Sequence, residues 1–241
     1  MDTSYWNSIK SNIELQDTTK QFFGKYLWRL VITAHCGRLL LSKASLEDAL
    51  DHRKTLTAHY KTNYSSWWNT RHNDGIDNVD LDLLHSVQQI KTHFGSRIRT
   101  RIEEPAIQFY ATDELTLKQI ASMLDNQDCI RSVTGPASIA EETMLLAGSI
   151  LKRAPTEYSH KVILRDGRYG SDIKMQILSY LDSLGDAVKL SKSSRDMLTK
   201  PYASMWNVFF YTNDPQITTF LSLIEPTIIS NIHKLIHVDY K

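Results

Sequence analysis

The chain has 241 residues, 41% of them hydrophobic and 10% aromatic, which suffices for one large domain or two smaller ones with a core each. Its 28 Lys and Arg balance 27 Asp and Glu at a formal net charge of +1, which excludes a uniformly basic polyanion binder, so any such attraction must come from local patches. Cys36 and Cys129 lie far apart and outside any CxxC or zinc spacing, which fits a reducing, cytoplasmic setting better than a disulfide framework and argues against a thiolate-held metal.

The opening residues show no basic and then apolar leader, and residues 1–25 read as an N-terminal arm. Leu27 to Leu41 is interrupted by Arg29, His35 and Arg38 and is too short for a bilayer, so no membrane partner is expected. Tyr26 to Thr33 suits a strand, with Gly37 turning the chain after it. Ser45 then caps a helix whose apolar residues run from Leu46 through Leu50 and Leu56 to Tyr60. From Thr62 to Val79 that periodicity gives way to an insertion rich in Asn, Ser and Trp. A helix resumes at Leu81 and stops at Gly95.

Arg97 to Glu103 alternates as a strand, and Ala106 to Ala111 forms another, followed by a helix with Leu117, Ile120, Ala121 and Leu124 on one face. Cys129 to Val133 is a short strand ended by Gly135-Pro136. Ile139 to Leu151 reads as a helix joining two halves, after which Lys161 to Leu164, a helix through Ile173 to Leu184, Ala187 to Leu190 and Trp206 to Tyr211 repeat the order of elements. The spacing of Ile228, Ile229, Ile232, Leu235 and Ile236 predicts a final helix.

The repetition is visible in the residues themselves. Pro105-Ala106-Ile107-Gln108-Phe109-Tyr110-Ala111-Thr112-Asp113 returns 101 positions later as Trp206-Asn207-Val208-Phe209-Phe210-Tyr211-Thr212-Asn213-Asp214, each an aromatic strand closed by an Asp placed to cap a helix. The expected fold class is α+β: two tandem ferredoxin-like βαββαβ modules with antiparallel sheets, the first carrying the Trp-rich insertion. The expected organisation is arm 1–25, first module 26–136, helical connector 137–158 and second module 159–241.

Three segments suggest a binding surface. On a strand, Arg97, Arg99 and Arg101 project from one face while Ile98 and Ile102 point to the other, a spacing that suits successive phosphates. Neutralisation by Glu103 and Glu104 would make the same ladder an ordinary solvated face. The insertion interleaves Tyr64, Trp67 and Trp68 with cations such as Arg71, as single-stranded nucleic acid or a protein interface would require. Its Trp rings would equally serve a core. The third is the Gly-flanked loop Arg165 to Gly170, with Arg168 and Tyr169, joined by Lys189, Lys192, Arg195 and Lys200. Residues 152–202 carry ten Lys or Arg against six Asp or Glu, but the loop matches no nucleotide fingerprint.

Catalytic signals are weaker. His72, Asp74, Asp77, Asp80 and Asp82 crowd one span without EF-hand spacing, and Asp80 is placed to cap a helix. His233 and His237 give half a zinc site, one turn apart if helical. His35 and Cys36 are adjacent, poor geometry for a nucleophile and its base on a strand. No catalytic residue, metal or cofactor is expected. The leading reading is a non-enzymatic protein that binds RNA or single-stranded nucleic acid within a larger complex. An assembly subunit with protein partners and a metal-dependent nuclease or phosphodiesterase are the alternatives, because folds of this kind host all three.

Overall fold

The computed structural model describes residues 1–63 and 78–239, with two compact units, Met1–Glu142 and Thr143–Lys241. In the first, α1 (Thr3–Ile9) and β1 (Glu14–Asp17) precede β2 (Trp28–Thr33), α2 (Leu46–Asn63) and α3 (Leu81–Phe94). A hairpin of β3 (Arg99–Glu103) and β4 (Ala106–Ala111) follows, then α4 (Glu114–Ser122) and β5 (Ile130–Gly135). Helix α5 (Ile139–Leu146) leads into the second unit. There β6 (Ile150–Lys152), β7 (His160–Leu164), α6 (Ser171–Ser183), β8 (Val188–Leu190), α7 (Lys192–Thr199), β9 (Phe209–Thr212), α8 (Ile217–Ile224) and β10 (Ile229–His237) follow in turn.

The fold is mixed α+β, with two five-stranded sheets and eight helices among the described residues. Strand order is β1-β5-β2-β4-β3 in one sheet and β6-β10-β7-β9-β8 in the other. In both, the first-named edge strand runs parallel to its neighbour and all other pairs are antiparallel. The wholly antiparallel sheets expected from the sequence are therefore corrected to mixed ones. The cause is an added edge strand in each, β1 from residues read as an arm and β6 from residues read as a helical connector.

The last expected helix is also corrected: Ile229–His237 is a strand, paired with β7 on one side and β6 on the other. A register shift between Ile229 and Asn231 moves the following residues by one pleat, which turns alternation into a spacing that imitates a helix.

Phe109 and Phe210 occupy matching places. Phe109 of β4 is paired with Leu30 and Thr100, Phe210 of β9 with Val162 and Leu190, and both rings are fully buried. In the second unit Val162, Leu164 and Phe210 meet Ile177, Leu178 and Leu181 of α6 and Ile217 and Leu221 of α8 in one cluster. The first core draws Leu30, Ile32, Ile107 and Phe109 from the sheet, with Leu84, Ile90, Leu117 and Ile120 from helices. Gly135 has no room for a side chain, since a Cβ there would lie 2.2 Å from the Trp28 ring. Asp113 caps α4 by accepting from the Thr116 N–H at 2.8 Å. Its counterpart Asp214 accepts from Gln216 N–H at 2.9 Å, just ahead of α8.

Burial raises both thiols, Cys129 to about 12. The native state thus holds the Cys129 proton more tightly than the unfolded chain, whose thiol has its ordinary value of 9.0. The corresponding stability is full below about pH 9 and lost as pH rises through 12. Neither thiol should react with a disulfide reagent at pH 8 in the folded protein, and both should react in denaturant. Rapid native labelling would contradict this.

Candidate nucleic-acid interface

Each sheet presents residues that alternate with its core-facing ones. In the first, the residues alternating with Leu30, Ile32, Ile107 and Phe109 are Arg29, Val31, Gln108 and Tyr110. Cross-strand register aligns Arg29 with Tyr110 and Tyr110 with Arg99, so a tyrosine on the inner strand stands between two guanidiniums. On its other side Arg29 is paired with Thr134, to whose hydroxyl it donates at 3.0 Å. The Arg29 Nε is buried and has no hydrogen-bond partner among the described residues.

The turn before β2 folds Phe22 and Phe23 against this face. Their ring centroids lie 5.3 and 4.9 Å from that of Tyr110, which is 3% exposed, while Phe23 remains 45% exposed. Arg29 lies over Phe22 at 5.3 Å and Arg99 over Phe23 at 3.8 Å. The turn therefore covers Tyr110 and offers its own phenylalanine outward.

The expected ladder of three arginines is shortened. Arg97 belongs to the turn Gly95–Arg97, where Gly95 takes φ 51°, and its guanidinium donates to the His93 carbonyl at 3.1 Å. Arg99 and Arg101 are both exposed on β3. Arg101 is paired with Glu103, which also accepts from Gln108 at 2.7 Å, so its charge is partly neutralised in place.

The second sheet repeats the pattern with lysines. Lys161 of β7 and Lys189 of β8 are each paired with Tyr211 of β9, and His233 of β10 is paired with Lys161. Lys161 lies over the Phe209 ring at 3.7 Å, and Phe209 meets Tyr211 edge-on at 5.5 Å. Tyr211 is only half-buried, unlike its counterpart Tyr110. Arg29, Tyr110, Lys161 and Tyr211 escaped the sequence reading. Alternation in β2 and β4 separates the first pair from the core, but only register reveals that they are neighbours.

The basic residues of the second unit differ in their surroundings. Arg165 and Arg168 are exposed in the loop after β7, where the Asp166 carboxylate accepts from Asn207 N–H at 2.7 Å. Burial raises the Tyr169 hydroxyl, whose side chain packs against the core. Lys192 is exposed at the start of α7, while Arg195 donates to both oxygens of Asp182 at 2.8 and 2.6 Å. Those bonds hold the Asp182 carboxyl below its usual range. Lys174 is fully buried and donates to the carbonyls of Lys200, at 2.7 Å, and Ala203.

Tyr64, Trp67, Trp68 and Arg71 lie outside the described residues, as do His72, Asp74 and Asp77. Asp80 caps α3 by accepting from Leu83 N–H at 2.9 Å. Among the described residues no three His, Cys, Asp or Glu side chains are grouped to hold a metal. His233 and His237, read as one turn apart on a helix, are instead four residues apart on a strand, about 13 Å, too far to share an ion. His233 Nδ1 meets the Gly148 carbonyl at 2.7 Å. Among the described residues no helix is long and apolar enough to cross a membrane.

In comparison with known proteins, no protein-family model matches the chain, and no curated protein matches its sequence.

Proposed function

We propose that the chain is a non-enzymatic protein that binds RNA or single-stranded nucleic acid through the sheet faces opposite its cores. One observation carries the reading: in both units a tyrosine on the inner strand stands between cations on the two neighbouring strands, Arg29-Tyr110-Arg99 and Lys161-Tyr211-Lys189. In the second unit the half-buried Tyr211 ring offers stacking to an unpaired base, in the first the exposed Phe23 that covers Tyr110 takes that part, and flanking cations hold phosphates on either side. We further read each unit as a ferredoxin-like βαββαβ module with a parallel edge strand added, residues 26–136 and 159–241 being the repeated portions. The strand orders β5-β2-β4-β3 and β10-β7-β9-β8 support this.

Binding of this kind is electrostatic and weakly selective for sequence. Replacing Arg99, Lys161 and Lys189 with Gln removes up to three phosphate contacts and should flatten the log-log salt dependence by about 2, at roughly 0.7 per contact for a single strand. A salt titration with a labelled single-stranded RNA measures it. An unchanged slope and affinity would move the surface elsewhere, first to Arg165, Arg168 and Lys192.

A protein-partner reading draws on a different observation. A cleft of about 550 Å³ between α6 and α8 is lined by Met175, Tyr180, Phe220 and Ile224, and Leu223 nearby on α8 is 77% exposed. Both readings are compatible with a subunit of a larger cytoplasmic complex.

A further inference from the structure

We infer that Tyr158 and Tyr211 form a slot that holds one unpaired nucleobase stacked between their rings, an inference that rests on the second sheet being a nucleic-acid surface. Tyr211 stands on β9 and Tyr158 in the loop between β6 and β7, both half-buried. Their centroids are 6.4 Å apart and their planes 30° from parallel. A planar ring in contact with both walls needs parallel faces about 7 Å apart, two aromatic contacts of roughly 3.5 Å each, so one ring has to rotate into parallel and move outward to admit it. The two rings line one cleft of about 390 Å³ together with Lys152, Thr156, Glu157 and Lys189.

The loop that carries Tyr158 is tied down before any ligand arrives. Tyr158 N–H donates to the Thr156 hydroxyl at 3.3 Å, and that hydroxyl donates to the Tyr158 carbonyl at 3.1 Å. The Tyr158 hydroxyl donates to the Asp186 carbonyl at 3.3 Å, fixing the far end of the ring beside β8. Asn213 clamps the loop from the β9 side, donating to the Glu157 carbonyl at 3.0 Å and accepting from Ser159 N–H at 2.8 Å. A loop ordered before binding reduces the ordering cost on the Tyr158 side and leaves the movement that admits the base to the Tyr211 side chain.

Cations stand beside both walls. Lys189 Nζ is 6.0 Å from the Tyr158 centroid and Lys152 Nζ 6.0 Å from that of Tyr211. A base held between the rings can therefore have its flanking phosphates met from both sides. Lys189 also lies 3.7 Å from the Glu157 carboxylate, an exposed pair that a phosphate can displace at little cost. Aromatic walls with cationic rims suit a nucleotide better than an aliphatic ligand, which would gain nothing from the lysines.

The test uses the full chain and two probes: an RNA strand with one 2-aminopurine and abasic sites elsewhere, and 2-aminopurine riboside monophosphate. Stacking between the tyrosines quenches the fluorescent base. The wild type should quench the strand. Tyr158→Leu should restore the emission and bind about 5- to 150-fold more weakly, the span for one stacked base. Tyr158→Phe, which keeps the ring and loses only the bond to Asp186, should retain the quenching and most of the affinity, and Tyr211→Leu should repeat the loss from the opposite wall. Circular dichroism establishes that the variants are folded.

A strand bound without quenching, or one that Tyr158→Leu and Tyr211→Leu both quench as fully as the wild type does, overturns the slot and leaves the wider nucleic-acid reading intact. Tyr158-dependent quenching of the monophosphate with no strand binding keeps the slot as a mononucleotide site and overturns strand binding. If neither probe binds, both readings fall.

Discussion

Phe210→Ala is expected to destabilise the second unit by about 3 to 5 kcal/mol, and Phe109→Ala the first by a similar amount. Each ring is fully buried on the inner strand β9 or β4, so truncation removes a large apolar surface and leaves a space that flanking strands cannot close. In the second unit the space would open among Val162, Ile177, Leu181 and Leu221. Because each unit has its own core, calorimetry should show Phe210→Ala lowering one thermal transition and Phe109→Ala the other. A single transition lowered equally by both would show that the cores melt as one. Phe209→Ala, from the adjacent partly exposed position, should cost much less and serves as the control.

The second large effect is expected at Trp6. A free arm would tolerate Trp6→Ala, but this side chain is fully buried and its indole N–H donates to Glu114 at 2.9 Å, at the first residue of α4. Around it Asp2 N–H donates to the same carboxylate at 2.7 Å, and Lys118 donates to the Asp2 carboxylate at 2.7 Å. The cavity term alone places Trp6→Ala at about 3 to 5 kcal/mol, measured as a loss of denaturant midpoint with little change in slope. Trp6→Phe should recover part of that loss, since it keeps an aromatic ring and forfeits only the hydrogen bond and some volume. A midpoint unchanged in Trp6→Ala would restore the arm. The Lys118 hydrogen bond holds the Asp2 carboxyl well below its ordinary value of 3.8. That contact therefore supports the folded state above the usual carboxylate range and fades only as pH falls below it.

The legible parts of the sequence were those set by local chemistry. The aromatic strand ending in Asp could be read twice because each copy carries its own alternation and its own capping group, and the start of α3 could be read from Asp80. Edge strands were not legible. Glu14–Asp17 is largely polar, since one backbone edge faces away from the sheet, and its identity as a strand comes from pairing with residues 132–135. The final strand was misread for a different reason, a bulge that breaks its alternation near Ile229. The candidate surface was half legible. Arginines two apart on β3 can be seen in the chain, whereas Arg29 beside Tyr110, or Lys161 beside Tyr211, joins residues 81 and 50 positions apart and depends on register. Arg97 was misplaced because the strand starts only after the Gly95 turn.

The short edge strands limit how the protein can associate. An exposed sheet edge is a template for a further strand, and long apolar edges invite aggregation. Here the outermost strands are β1 with four residues, β3 with five, and β6 and β8 with three each. β3 carries Arg99, Arg101 and Glu103 outward, and β8 carries Lys189. Such borders are too short and too charged to recruit another backbone, so self-templating into fibrils is disfavoured and association is directed to side chains on the broad surfaces.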